Sequence, residues 1–175
     1  MEMKIRKATR KDEYLVKELI QHGQDRMRNM GNYSQWNNLE RVWELAMMDL
    51  DKGECYLLEA NREVLATFCL PIGKDPTYAY VEGGQWSYEG EYGTLHRIAS
   101  KSEVKGLGRF IMDWAKSNCN VLRIDTHEDN LPMIAVIEAN EFRYVGTIYV
   151  EDGTPRRAYE WYRGMNKQDG VSQEL

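Results

Sequence analysis

The chain is 175 residues long, 42% apolar and 29% charged, and its 23 basic and 28 acidic residues leave a net charge of −5. That length suits a single domain with its own core, and the acidic balance argues against a general nucleic-acid binder. No apolar run reaches the roughly 18 residues that a membrane span needs.

The charged residues 1–6 do not read as a secretory signal. Cys55, Cys69 and Cys119 are scattered, with no CxxC pair, so neither a zinc site nor a disulfide framework is expected. A reducing cytoplasm is the expected home. Residues 4–8 alternate weakly and predict a first strand. Thr9 or Asp12 then offers an N-cap to a helix whose Leu15, Val16, Leu19 and Ile20 share one face. Gly31-Asn32 interrupts it. Ser34 offers the cap of a second helix carrying Trp36, Leu39, Trp43, Ala46, Met47 and Leu50, which Gly53 ends.

From residue 55 the period changes. Residues 55–60 and 64–70 are short apolar runs flanking Asn61-Arg62, a hairpin signal. Residues 71–93, rich in glycine, proline and aromatics, predict a long loop or irregular hairpin, and 94–99 another strand. Leu107, Phe110, Ile111, Trp114 and Ala115 fall at helical spacing after Gly106. Residues 121–126 read as a strand, and Asn130 with Pro132 opens a helix filled by Met133, Ile134, Val136 and Ile137. Residues 142–150 and 156–162 make a final hairpin, and the tail from Gly164 reads as frayed. The pattern is α+β: one domain over 1–164, then a tail over 165–175. The aromatics at Tyr33, Trp36, Trp43, Tyr78, Tyr80, Trp86, Tyr88 and Tyr92 fit either a core with a satellite cluster or a wall around a small-molecule pocket.

The chemistry concentrates in Thr94-Leu-His-Arg-Ile-Ala-Ser-Lys-Ser-Glu-Val-Lys-Gly-Leu-Gly-Arg109, which runs from strand through glycine turn to helix. A helix starting at such a turn offers unbonded backbone N–H groups and the positive end of its dipole, which suit a phosphate or pyrophosphate. Lys105 and Arg109 bracket the turn and can pair with further phosphate charge. The same glycines also suit a plain tight connection. Neither a Walker loop nor a Rossmann fingerprint is present, since the residue three after Gly108 is Ile111.

Glu103-Val-Lys-Gly106-Leu-Gly108 resembles the Gln/Arg-x-x-Gly-x-Gly/Ala motif of the GNAT superfamily of acyl-CoA-dependent N-acetyltransferases. A second stretch, Leu122-Arg-Ile-Asp-Thr-His-Glu-Asp-Asn130 with a helix ending at Asn140-Glu141-Phe142, resembles that family's next strand, polar turn and helix. The resemblance covers residues 3–162. It implies a twisted, mostly antiparallel mixed sheet whose fourth and fifth strands splay, with the pantetheine of acetyl-CoA in the gap. Backbone near Arg97 and Ile98 would pair with the pantetheine amides. Backbone N–H groups of Val104, Lys105, Gly106, Leu107, Gly108 and Arg109 would cradle the pyrophosphate, and Asn130, also a natural N-cap, would bond the pantetheine region. Three positions depart from the family. Glu103 stands where Gln/Arg is usual, Ile137 where many members have a Tyr that protonates the leaving thiolate, and Glu141 where a Gly precedes Phe142. At that last helix end Asn140 is expected to take the left-handed conformation.

The activity so implied is transfer of an acetyl group from acetyl-CoA to a primary amine of a small molecule or peptide, by direct attack in a ternary complex. No metal, nucleic acid or membrane is required, and a homodimer is compatible with it. A protonated amine cannot attack, so a base must take its proton; His96, on the strand beside the thioester, is the candidate. Glu82 is a second. His22 reads as a solvated surface residue, His127-Glu128-Asp129 as a turn and not a metal site, and Cys119 as lacking a histidine partner. The missing Tyr and Gln/Arg keep open a non-catalytic acyl-CoA-binding or sensing module, and a phosphate-binding or structural domain with a chance motif is the third reading.

Overall fold

A computed structural model describes residues 1–101 and 104–165; Glu103 and the predicted frayed residues beyond Met165 lie outside the described residues. In chain order the elements are β1 (Met3–Lys7), α1 (Glu13–Asn29), α2 (Leu39–Asp51), β2 (Cys55–Ala60), β3 (Glu63–Cys69), β4 (Ile72–Gly73), β5 (Tyr92–Ser100), α3 (Leu107–Asn118), β6 (Val121–Thr126), α4 (Leu131–Ala139), β7 (Arg143–Tyr149) and β8 (Pro155–Tyr162). The class is α+β, as the sequence predicts. The chain divides into two compact units, one of Met1–Pro71 with Leu95–Ile111, the other of Ile72–Thr94 with the residues from Met112 onward. Among the described residues no helix is long and apolar enough to cross a membrane.

In the first unit β1, β2, β3 and the second part of β5 pair antiparallel in that order. Thr9 and Asp12, the two expected caps, box the 3-10 turn Arg10–Asp12 that leads into α1; Asp12 stands at the N-cap position of α1, but its side chain makes no capping bond to that helix. The Thr9 N–H donates to the Asp12 carboxylate at 2.8 Å, and Arg6 on β1 pairs with both Asp12 and Glu59. Val16, Leu19 and Ile20 of α1 are fully buried against Ala46 and Leu50 of α2 and Cys55 and Leu57 of β2. The β2–β3 turn holds Asn61 and Arg62 at φ +52° and +64°, the left-handed pair that a two-residue hairpin turn needs.

The second helix begins later than the sequence predicts. Its cap is Asn38, whose side chain accepts the Arg41 N–H at 3.2 Å, and not Ser34. Trp36 sits outside the helix with φ +57°, and its carbonyl accepts the Gln24 amide at 2.6 Å. The ring covers Gly23, where an added Cβ would come within 2.9 Å of Trp36 Cζ3. Trp36 therefore continues the apolar spacing of α2 but packs from the loop, held by α1.

In the second unit β8 lies between β6 and β7, antiparallel to both. The predicted loop over 71–93 is tied to this sheet at several points. Ile72–Gly73 pairs with Gly93 and Tyr92, and Glu82 bridges Thr147. The guanidinium of Arg123 lies between the rings of Trp86 and Tyr92, 4.2 and 3.9 Å from their centroids, and donates to the Tyr88 carbonyl at 2.6 Å. Fully buried Glu160 accepts from Arg123 and from the Ser87 N–H at 2.8 Å. Tyr78, Trp86 and Tyr92 thus form a satellite cluster with Val121, Ile148 and Ala158, while Tyr80 and Tyr88 face solvent.

The end of α4 differs from expectation. Glu141 takes the left-handed conformation at φ +67°, and Asn140 stays at φ −97°. Asn140 is held by both ends: its side chain donates to the Val136 carbonyl at 2.7 Å, and its own carbonyl accepts Lys116 Nζ at 2.6 Å. The left-handed turn is therefore displaced onto Glu141.

Gly84 passes so close to β7 that an added Cβ would overlap the Val145 carbonyl oxygen. Because backbone, and not a flexible side-chain end, must move, Gly84→Ala is expected to destabilise the fold by about 2–3 kcal/mol. Urea unfolding checks this, and a loss below about 0.5 kcal/mol, the size of an ordinary surface change, contradicts the close approach.

Candidate functional site

Within the first unit, β5 pairs with β3 through Cys69 opposite His96, Thr67 opposite Ala99 and Ala66 opposite Ser100. From Cys69 to Thr67 is two steps on β3, but from His96 to Ala99 is three on β5, so β5 carries one extra residue there. Arg97 and Ile98 have no register partners of their own on β3, and Arg97 absorbs the irregularity with φ +52°. An L-residue in that region costs roughly 1–2 kcal/mol. Strand amides that step out of a ladder next to a bulge are available to bond something other than the sheet.

The Arg97 side chain turns to α2, where Nη2 donates to the Asp49 carboxylate; the two side chains are 11% and 12% exposed. Burial disfavours the Arg97 cation, but the neighbouring Cys69 and Asp49 outweigh it, so its pKa stands above the ordinary arginine value. Cys55 and Cys69 face each other across β2 and β3, both fully buried, and the contact with Cys55 together with burial pushes the Cys69 thiol well up. The same contact lowers the Cys55 thiol, so the two shift in opposite directions.

Beyond β5 the chain reaches Val104, half-buried, then exposed Lys105 and Gly106. Gly106 adopts φ +87°, and an added Cβ would meet nothing within 4 Å. Leu107 and Ile111 bury one face of α3 and anchor it. The Gly106 carbonyl accepts the Phe110 N–H at 3.0 Å, so the amides ahead of Phe110 precede the first internal bond of the helix. An open left-handed glycine, early helix amides and the exposed cations Lys105 and Arg109 together make a surface suited to an anion. Of the candidate residues, His96, Arg97, Ile98 and Val104 to Arg109 fall in this unit, and Asn130 and Glu82 in the other.

Asn130 belongs to the second unit. Its side chain accepts the Met133 N–H at 3.4 Å and caps α4, with Pro132 in the first turn, as the sequence predicts. The His127 ring accepts the Asp129 N–H on Nδ1 at 3.0 Å, so this pair builds the turn before the cap. Among the described residues no group of three His, Cys, Asp or Glu side chains is arranged to hold a metal. Ile137 is fully buried in α4, a core side chain with no proton to give. The Glu82 carboxylate accepts the Tyr149 hydroxyl, a bond that raises the phenol pKa. Cys119 is half-buried, which pushes its thiol up and makes it a poor nucleophile. His22 is an exposed residue of α1, 3.9 Å from Glu18.

Sequence reasoning missed Asp49 and the bulge. The one signal it held was the charged Arg97 in a largely buried strand.

Several solved structures share this architecture. An acetyltransferase of the GNAT family from Streptococcus agalactiae matches with a TM-score of 0.80 and 21% identity, over 93% of this chain and 96% of its own. An aminoglycoside N(6′)-acetyltransferase from Legionella pneumophila matches at 0.66 and 14% identity, over 97% and 95%. The aminoglycoside acetyltransferase AAC(6′)-Ib, solved with paromomycin and acetyl-CoA, matches at 0.64 and 17% identity over 100% of each chain. No protein-family profile and no curated protein matches the sequence.

The capping role of Asn130 has its own measurement. Asn130→Ala is expected to cost about 1 kcal/mol in chemical denaturation, with Asn130→Ser recovering most of it. Equal stability of the parent and the Ala variant would remove the cap from the account.

Proposed function

We propose that this chain, which has the fold of the GNAT acetyltransferases, is an acyl-CoA-dependent N-acetyltransferase that moves an acetyl group from acetyl-CoA to a primary amine of a small molecule or peptide. The observation that carries the reading is the open left-handed Gly106 at the start of α3, where only a glycine leaves the backbone both unstrained and uncovered. A pyrophosphate on the amides from Val104 to Arg109 would meet the positive end of the α3 dipole, with Lys105 and Arg109 adding charge. The thioester would then lie against β5, with the amides near Arg97 and Ile98 directed at the pantetheine and at the carbonyl oxygen.

In the ternary complex the amine nitrogen attacks the thioester carbon, the C–N bond forms and the C–S bond breaks. His96 accepts the amine proton, and coenzyme A leaves as a thiolate that is protonated from solvent. The buried Ile137 supports that last step, because it offers no acid at the position where the family often has Tyr. A free thiol titrates at about 8.5, so its thiolate is a tolerable leaving group without one. Orientation of the two substrates supplies much of the remaining acceleration. Aminoglycosides are the first acceptors to test, because two of the similar structures are aminoglycoside acetyltransferases.

Ile137 also favours a second reading, an acyl-CoA-binding module without turnover. Acetyl-CoA consumption against a panel of amines separates the two.

Gly106→Asn tests the donor site without unfolding the turn, since Asn tolerates the left-handed region. Its side chain occupies the open approach, and acetyl-CoA affinity is expected to fall at least about tenfold by calorimetry, or about 1.4 kcal/mol. Unchanged affinity at unchanged stability would sink the assignment.

His96→Ala is expected to lower kcat/KM by roughly 10²-fold while acetyl-CoA affinity changes little, the ordinary loss of a general base. The parent's pH–rate curve should show an acid limb that the variant lacks. Survival of that limb in the variant would mean that the amine deprotonates through another group.

A further inference from the structure

Buried ion pairs contribute little net stability over an apolar pair of the same shape, because two charges must be taken out of water. The Asp49–Arg97 pair shows that cost in its details. Arg97 reaches Asp49 through Nη2, while its Nε is buried without a hydrogen bond. The guanidinium is thus paired with Asp49 and in contact with Cys69, while its Nε is left without a partner. Its position follows from where Asp49 is, and Asp49 is fixed from two sides. Its neighbours Ala46, Met47 and Leu50 are buried in the core under α2, and its backbone carbonyl accepts the Glu54 N–H at 2.8 Å, tying the end of α2 to the start of β2.

The rest of β5 in this unit is fixed by other contacts. His96 stands in register with Cys69, Ala99 packs on Gly23 of α1, and Ser100 accepts from Arg26 Nη1 at 3.1 Å. Between these anchors lie Arg97 and Ile98, the two residues that share one place opposite β3. Arg97 holds φ +52° although arginine has no preference for that region. Something must oppose the relaxation of this residue into ordinary strand geometry, and the pair to α2 is the contact that does so from outside the sheet.

We propose that Asp49 and Arg97 are positioning residues: their buried ion pair clamps the extra residue of β5 in its left-handed conformation and so sets the backbone amides that meet the acyl donor. The inference rests on the acetyl-CoA reading above and adds to it the part of the chain, α2, that governs donor geometry. The clamp acts through backbone shape, so any residue that adopts the same φ without strain replaces it. Glycine is such a residue.

Two double variants and the parent make the test, with acetyl-CoA affinity by calorimetry and melting temperature as paired readouts. Arg97→Met with Asp49→Leu removes both charges and keeps apolar bulk. It is expected to melt near the parent and to bind acetyl-CoA at least about tenfold more weakly. Arg97→Gly with Asp49→Leu loses packing and melts lower, yet is expected to regain most of the affinity, because glycine takes the bulge conformation freely. A merely structural pair predicts the opposite order, with affinity following melting temperature. That order, or a Met/Leu protein that binds as the parent does, overturns the proposal. If the Met/Leu protein does not fold, Asp49→Glu serves, since it keeps the ion pair and moves its anchor by one methylene. Weaker binding at an unchanged melting temperature supports the clamp, and unchanged binding overturns it. A parent that does not bind acetyl-CoA at all refutes the donor reading instead, so the two failures are distinguishable.

Discussion

A strand that must both belong to a sheet and present its own amides to a ligand cannot be regular along its whole length, because a regular ladder uses every amide. In the proposed donor site β5 would meet this demand with the one residue more that it has than β3 opposite it. The extra residue ends the pairing at Arg97 and Ile98 and resumes it at Ala99, so the chain leaves the ladder for a single step without leaving the sheet. The left-handed Arg97 that results is disfavoured in isolation, and it persists because the residues on either side are tied to β3 and its side chain to α2. The packing of α1 and α2 on this sheet is therefore not only core. It is the frame against which one backbone conformation is held.

The glycine turn after β5 follows a different logic. Gly106 needs no clamp, since a left-handed glycine is unstrained, and its surroundings are open. What it needs is a helix whose start does not move, and Leu107 and Ile111 provide that by burying the first turns of α3. In the proposed donor site, anion recognition would come from amides and dipole, with Lys105 and Arg109 as exposed, salt-screened additions. The two parts of the proposed donor site thus differ in kind: one is a strained conformation maintained by a distant ion pair, the other a relaxed conformation maintained by local burial.

The second unit shows how a segment with little regular structure can still be fixed. Residues 72–92 are held by Arg123 between two aromatic rings, by the Glu160 carboxylate on the Ser87 amide and by the passage of Gly84 along β7. A buried arginine and glutamate on neighbouring strands β6 and β8 satisfy one another and reach out to the segment above them. The departure at Ile137 belongs to this unit as well. A fully buried isoleucine in α4 contributes to the core and has no proton to give.

Features of the chain that depend on neighbours in sequence were legible without coordinates. The cap at Asn130, the left-handed turn at Asn61-Arg62, the glycine turn into α3 and the strands over 55–60 and 121–126 all depend on residues a few positions apart. So did the resemblance that pointed to the GNAT fold, since its motifs are short and local. Where competition came from farther away, local reading failed. Trp36 fits the spacing of α2 but is drawn out of it by Gly23 and Gln24 on α1, and Asn140 yields its left-handed turn to Glu141 because Lys116 holds its carbonyl. The bulge in β5 is the furthest such case, since Arg97 and its partner Asp49 are 48 residues apart. Register between strands is set by how whole elements pack, and an extra residue leaves no mark on composition or period. The sequence alone determined which segment could carry the chemistry, and only the tertiary structure decided how its backbone is bent, because that bend is fixed by a side chain on another element.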